Sequence, residues 1–249
     1  MPAKQFVQRL ARRFGFEIVP YQVAPSDFSP ADRDLIEFVR PYTMTSPERI
    51  FGLANAVRWL VAAGVPGDVV ECGVWRGGSM MAVAKTLVDL QAADRDLYLF
   101  DTFTGMTAPT AEDLDFRGSP ASGRFAERAD GDQTSDWCRA GIRTVRASLA
   151  LTGYPTDRLH FVPGMVEETI PAAAPESIAL LRLDTDWYVS TRHELEHLWP
   201  RLISGGICII DDYGHWKGSR QAVDEYLAEH DLRVFMHRLD YTGRLVVKP

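Results

Sequence analysis

The sequence predicts an α/β fold: a doubly wound, mostly parallel seven-stranded sheet with an antiparallel terminal strand, preceded by a helical N-terminal extension. Three observations carry this. From Asp68 onward, short and nearly continuous apolar runs alternate with helical stretches, the pattern of a parallel sheet covered on both faces. The first run ends in a glycine-rich turn that opens a helix. Later runs end in acids, and in open α/β sheets ligands bind outside the carboxyl ends of the strands.

Residues 1–67 read as helical. Phe6, Val7, Leu10 and Phe14 recur at helical spacing with arginines opposite, which predicts a basic amphipathic helix packing on its own domain or on a sister subunit. Pro20, Pro25 and Pro30 mark an extended link, and a second helix is predicted over Pro30–Val39. A third is signalled by Ser46 as N-cap, Pro47 in the first turn and Gly64 beyond the end. Residues 68–249 then form the main domain. Its strand candidates are DVVECGV, DLYLFDTF, RLHFVPG, SIALLRLDTD and GICIIDDY, with helices around Ser79–Leu90, Ser135–Leu151, Val166–Ile170 and Ser190–Leu202. After a helix over Ser219–His230, LRVFMHRLD and GRLVVKP form an antiparallel pair on the sheet edge, turning at Tyr241-Thr242-Gly243. One polar, glycine- and acid-rich segment, Thr107–Gln133, breaks the rhythm; a connection that long in a compact domain is read as a lid over the site.

Composition narrows the function. The 249 residues are 46% apolar and 24% charged, with a net charge of −7. That argues against a nucleic-acid binder, which shows a basic footprint. Three cysteines without a CxxC make a disulfide framework or a cysteine-rich zinc site implausible. No apolar run approaches the ~18 residues of a membrane span, and the first residues lack the apolar stretch of a signal peptide. A soluble cytoplasmic protein without nucleic-acid or membrane partners is expected.

The strand ends carry the chemistry. Glu71-Cys72-Gly73-Val74-Trp75-Arg76-Gly77-Gly78-Ser79 is a βα turn spaced G-x-x-x-G-G, not the G-x-G-x-x-G of a dinucleotide cradle. Glu71, just before its first glycine, would repel a pyrophosphate and suits a cationic ligand. Asp101 ends the second strand, where nucleoside-binding doubly wound folds hold a ribose diol. Asp184-Thr185-Asp186 and Asp211-Asp212 end the fourth and fifth strands. Side by side, these acids repel one another unless a cation intervenes, and an all-carboxylate set favours a hard ion such as Mg²⁺. His193-Glu194-Leu195-Glu196-His197 formally matches the H-E-x-x-H zinc pattern, but no third ligand follows and Pro200 soon ends the helix. These residues are expected to face solvent.

Together, VECGVWRGGSM, LFDTFTGM, LRLDTDWYVSTRHELEHLWP and GGICIIDDYGHWKGSRQAVDEY resemble the macrocin O-methyltransferase family, from about Thr45 to the end of the chain. The resemblance implies a class I methyltransferase fold and an enzyme that moves the methyl of S-adenosylmethionine to a sugar hydroxyl of a glycosylated natural product, macrolide-type or related. It further implies Mg²⁺ dependence. It assigns Glu71, Cys72, Gly73, Val74, Gly77, Gly78 and Ser79 to the methionine end of the donor. Asp101, with Thr102 and Phe103, goes to the adenosine, and Asp184, Asp211 and Asp212 go to the metal. The metal arrangement is similar to that of catechol O-methyltransferase, but the lysine base found there is Trp187 here. Asp186 is therefore the first candidate for the base, and His215 the second. A homo-oligomer is expected from the N-terminal helix. Two readings outside the family are a nicotinamide-dependent oxidoreductase, disfavoured by the glycine spacing, and a non-catalytic nucleoside-binding module.

Overall fold

The computed structural model describes residue 7, residue 13 and residues 25–131 and 134–249. The amphipathic helix expected around Phe6, Leu10 and Phe14 lies outside the described residues, apart from Val7 and Arg13. Helix α1 (Pro30–Val39) is opened by a reciprocal cap, Ser29 accepting from the Asp32 backbone while Asp32 accepts from that of Ser29. A short 3-10 turn leads to α2 (Pro47–Ala62), whose N-cap Ser46 accepts from the Arg49 backbone at 3.2 Å. Both helices match expectation.

The sheet follows: β1 (Asp68–Cys72), β2 (Leu97–Asp101), β3 (Leu159–Pro163), β4 (Ile178–Leu183), β5 (Leu202–Ile210), β6 (Met236–Arg238) and β7 (Arg244–Val247). Their order is β3-β2-β1-β4-β5-β7-β6. β7 runs antiparallel between β5 and β6, so the terminal hairpin is inserted at the edge as predicted. The covering helices are α3 (Gly78–Asp89), α4 (Ala121–Glu127), α5 (Ile142–Ala150), α6 (Val166–Thr169), α7 (Tyr188–Leu198) and α8 (Lys217–Glu229).

The helix expected from Ser135 starts only at Ile142. Ser135 and Thr134 are instead drawn into β-bridges with Ala129 and Thr107, and Gly141 supplies the extended N-cap. The segment expected to be a lid is folded back on the domain: it holds α4 and bridges Asp115 to Trp216. Gln133 is outside the described residues.

Strand parity sorts the core into two layers. Val69, Leu97, Leu99, Leu180, Ile207 and Ile209 face α1, α2, α3 and α5, while Val70, Cys72, Phe100, Leu181, Leu183 and Ile210 face α6, α7 and α8. Each fully buried Leu, Ile or Phe stabilises by roughly 1.5–3 kcal/mol. The helices before residue 68 share this core, with Val39, Ile50 and Leu53 packed in the same cluster as Val69 and Met81.

Register places the functional residues. Cys72 pairs with Phe100 and with Leu183, and Leu183 with Ile210. The residues immediately beyond these positions, Gly73, Asp101, Asp184 and Asp211, therefore emerge along one edge. Gly73 belongs there: it sits at φ +81°, and a Cβ would lie 1.9 Å from the carbonyl oxygen of Asp184.

Candidate active site

A cleft of about 280 Å³ opens above the ends of β1, β4 and β5. Its floor is acidic. One carboxylate oxygen from each of Asp184, Asp211 and Asp212 lies within 4.8 Å of the others, and among the described residues this is the one such group of three potential metal ligands. Asp186 sits beside them at φ +66°, a strained conformation for a non-glycine residue and one that collects at functional sites. The Asp186 backbone N–H donates to Asp212 at 3.2 Å, and its carboxylate accepts from the Trp216 indole at 2.5 Å.

Two arginines, neither singled out from the sequence, hold this floor. Arg182 is buried in β4, in register with Glu71 on β1. Its guanidinium lies 2.7 Å from Glu71, 2.8 Å from Asp184 and 2.7 Å from Asp211. Arg49, from α2, reaches Asp211 with one nitrogen and Asp240 with another at 3.0 Å. An arginine interrupting an apolar strand was the available signal for the first; nothing local marks the second.

Burial raises the acids' affinity for protons. Asp184 and Asp212 are pushed well above the usual carboxylate range by burial first; Arg182 opposes this for Asp184, and neighbouring acids reinforce it for both. Asp186 is raised to about 7 by burial and then by the charge of Asp184. Glu71 also rises to about 7 through burial, against the pull of Arg182.

The other predicted residues divide. Gly73, Val74, Gly78, Ser79 and Asp101 line the cleft. Thr102 lines a smaller adjoining recess of about 70 Å³, together with Met165, Glu167 and Ser190. Four residues expected at the donor line neither. Glu71 is 1% exposed with Arg182 as its partner, so its charge is met within the protein rather than by a ligand. Cys72 has the opposite strand parity and is buried against the α6–α8 side. Gly77 packs against Leu149, and Phe103 is in the core. The Asp101 carboxylate accepts backbone N–H groups of Val74, Trp75 and Phe103 at 2.7, 3.0 and 2.6 Å, tying the glycine turn to the end of β2.

His215 stands at the mouth. Its Nδ1 is 3.2 Å from the Tyr241 hydroxyl and its ring packs edge-on against Trp216. Trp137, Trp187 and Trp216 pack edge to face, with centroids 5.1 to 6.2 Å apart, and Trp137 and Trp216 wall the cleft. The residues of the H-E-x-x-H match do not all face solvent as expected. Glu194 is 0% exposed, turned inward towards Thr185 and Cys72, and the His193 ring meets the carbonyl oxygen of Ile170 at 3.0 Å. That inward face of α7 buries the acid away from both histidines' outer side.

Comparison with known proteins follows this geometry. The solved structure of the O-methyltransferase NovP superposes with a TM-score of 0.73 at 28% identity, covering 83% of this chain and 82% of that one. The calicheamicin methyltransferase CalS11 superposes with a TM-score of 0.62 at 20% identity, a likeness of fold. Fold and relatives define the protein as an S-adenosylmethionine-dependent O-methyltransferase. The chain belongs to the macrocin O-methyltransferase family, whose model matches residues 31–248. Among characterised relatives, mycinamicin III 3''-O-methyltransferase of Micromonospora griseorubida is 33% identical over 202 residues, 81% of this chain and 76% of its own. A tetracenomycin-type rhamnosyl 4'-O-methyltransferase of Streptomyces olivaceus is 34% identical over 206 residues, 81% of this chain and 74% of its own.

Proposed function

We propose that this enzyme methylates a sugar hydroxyl of a glycosylated natural product, using S-adenosylmethionine and Mg²⁺. The convergence of Asp184, Asp211 and Asp212 beside Asp186 carries the reading. The residues fit the metal. Six carboxylates (Glu71, Asp184, Asp186, Asp211, Asp212 and Asp240) gather around two guanidinium groups (Arg49 and Arg182). Such a surplus of buried like charge is costly without a further cation, and hard oxygen donors suit Mg²⁺. When bound by the three aspartates, the metal would supply Lewis acidity to an acceptor hydroxyl and fix its direction.

The residues also fit the donor. The turn from Gly73 to Ser79 and the carboxylate of Asp101 border the cleft, and the recess beside Thr102 is continuous with it through Gly73, Asp101 and Asp184. When bound, the donor would supply a methyl on a cationic sulfur, with a neutral thioether as the leaving group. Glu71 bears on the acids through Arg182 rather than on the donor by contact.

Asp186 is the general base in this reading. Trp216 donates to one of its oxygens and a side-chain hydrogen bond links the carboxyl to Asp212, which holds it among the acids, where an acceptor hydroxyl would give up its proton. A carboxyl raised to about 7 has a proton affinity matched to work near neutral pH. His215 packs edge-on against the Trp216 indole and hydrogen-bonds Tyr241, which suits a place at the rim. The tryptophan wall keeps water from the reacting atoms.

The test is methyl transfer from labelled S-adenosylmethionine to a panel of rhamnosides and related deoxysugar glycosides, read by mass spectrometry. Chelation with EDTA should abolish product and Mg²⁺ should restore it. Full activity in an Asp211→Ala, Asp212→Ala double variant would overturn the metal role.

A further inference from the structure

Beyond the acids, on the side of the cleft away from the donor turn, lies an aromatic corner. Phe116, His215 and Tyr241 come from three separate loops, and their ring centroids lie 5.5, 6.4 and 6.1 Å apart at interplanar angles of 55° to 76°. Phe116 is 51% exposed and Tyr241 56%. Single exposed aromatics need no explanation, but a cluster at the mouth of a cleft marks a contact surface.

The corner is built, not incidental. The Leu114 carbonyl accepts from the Lys217 N–H at 2.8 Å, and Asp115 bridges to Trp216, which fixes Phe116 against the β5–α8 loop. The Thr242 hydroxyl donates to the carbonyl of Asp211 at 2.6 Å, and the Gly214 N–H to that of Thr242 at 2.9 Å, which fixes Tyr241 to the same loop. That loop also carries Asp211 and Asp212, so the rings and the acids form one preorganised unit.

Position orders the occupants. Along the sheet, the glycine turn and Asp101 stand over β1 and β2, the acids over β4 and β5, and Tyr241 beyond them in the β6–β7 turn. The Trp216 indole links the two groups, bonded to Asp186 and packed 4.9 Å from the His215 ring.

We propose that Phe116, His215 and Tyr241 form a subsite for a flat, largely apolar ring system attached to the methylated sugar. This rests on the sugar-hydroxyl reading above. The sugar lies along Trp216 and its aglycone enters the corner, where ring faces and edges meet it at little ordering cost.

The experiment is calorimetric binding of methyl α-L-rhamnoside, 2-naphthyl α-L-rhamnoside and thymidine diphosphate rhamnose to the enzyme loaded with S-adenosylhomocysteine and Mg²⁺. The naphthyl glycoside should bind roughly tenfold tighter than the methyl glycoside. A Phe116→Ala, Tyr241→Ala double variant should lose that preference while keeping its affinity for the methyl glycoside. A Phe116→Tyr, Tyr241→Phe variant should retain it. Equal binding of the two glycosides by the unaltered enzyme, no binding of the naphthyl glycoside, or a preference that survives the alanine variant would overturn the subsite. Tightest binding of the nucleotide sugar, insensitive to the alanines, would overturn it as well. Methyl transfer to the same panel is scored separately, so failure of the sugar reading shows there and not in the naphthyl preference.

Discussion

The Arg182 guanidinium lies 2.8 Å from the carboxylate of Asp184, two residues further along the chain, and 2.7 Å from Asp211 on the neighbouring strand end. Among the described residues it is the one cation that touches Glu71, Asp184 and Asp211 together, and it does so with 5% of its side chain exposed. Burial alone would weaken its hold on its proton; the charges of Asp184, Asp211 and Glu71 more than reverse that. The arginine thus sets the separation of two acids before any ligand arrives.

Replacing it should be expensive. Arg182→Met leaves Glu71 buried and unpaired, and breaking a buried pair from one side costs about 3–5 kcal/mol. Urea unfolding of the variant should show a loss of that order, and adding Glu71→Gln should recover part of it. A stability within about 1 kcal/mol of the parent would contradict this account.

The metal-free enzyme should lose stability as pH rises. Burial lifts Asp186 from 3.8 to about 7 and Glu71 from 4.5 to about 7. An acid whose folded pKa lies above its unfolded value stabilises fully below the unfolded value, and that contribution is lost as pH climbs through the folded one. The unfolding midpoint in EDTA should therefore fall from mildly acidic to neutral pH, and Mg²⁺ should flatten the decline. Mg²⁺ affinity should run the other way. Asp184 and Asp212 hold protons above the usual range, so protons compete for the site and binding weakens on acidification. Titration calorimetry in buffers of different ionisation enthalpy would count the protons released.

Asp186→Asn should lower turnover by about 10²–10⁴-fold, the range assigned to a general base, while S-adenosylhomocysteine and Mg²⁺ still bind. Trp216→Phe keeps the wall of the cleft but deletes the indole donor. That donor holds the Asp186 pKa down, so its loss should move the acidic limb of the pH–rate profile upward, with a smaller fall in maximal rate. An unmoved limb would detach Asp186 from the profile.

Much of this was legible in the chain because strand ends are local. Asp101, Asp184 and Asp211 each follow directly on an apolar run, and parallel register brings such ends together. What escaped depended on parity and distance. Glu71 and Cys72 are neighbours, but they point to opposite faces of β1, one to Arg182 and the other into the core. Arg49 reaches Asp211 across 162 residues of sequence, and no pattern within α2 announces it. The stretch from Ser135 to Gly141 has helix-compatible composition, yet pairing with residues after β2 and after α4 decides its shape. Glu194 reads as one more charge on a surface helix, and only the packing of α7 on the sheet turns it inward.

One buried side chain ties the folded-back segment to α7. Asp113 is 0% exposed. One of its oxygens accepts from the Thr110 N–H at 2.7 Å and the Thr110 hydroxyl at 2.8 Å; the other accepts from the Tyr188 N–H at 2.8 Å, at the start of α7. A carboxylate there also complements the positive end of that helix. Gly218 makes room for it, since a Cβ at that position would lie 2.2 Å from the Asp113 carboxylate. Asp113→Ala strands buried donors and should cost about 1–3 kcal/mol. Because the contacts bind the segment to α7 rather than the sheet to itself, the loss should be local: amide exchange should quicken over residues 107–131 and spare β1 and β4. The acceptor KM should rise more than kcat falls, since the segment lines the mouth and touches none of the acids. Gly218→Ala should reproduce the pattern by crowding the same carboxylate from the opposite side. Uniformly faster exchange across the sheet in either variant would show instead that Asp113 supports the global fold.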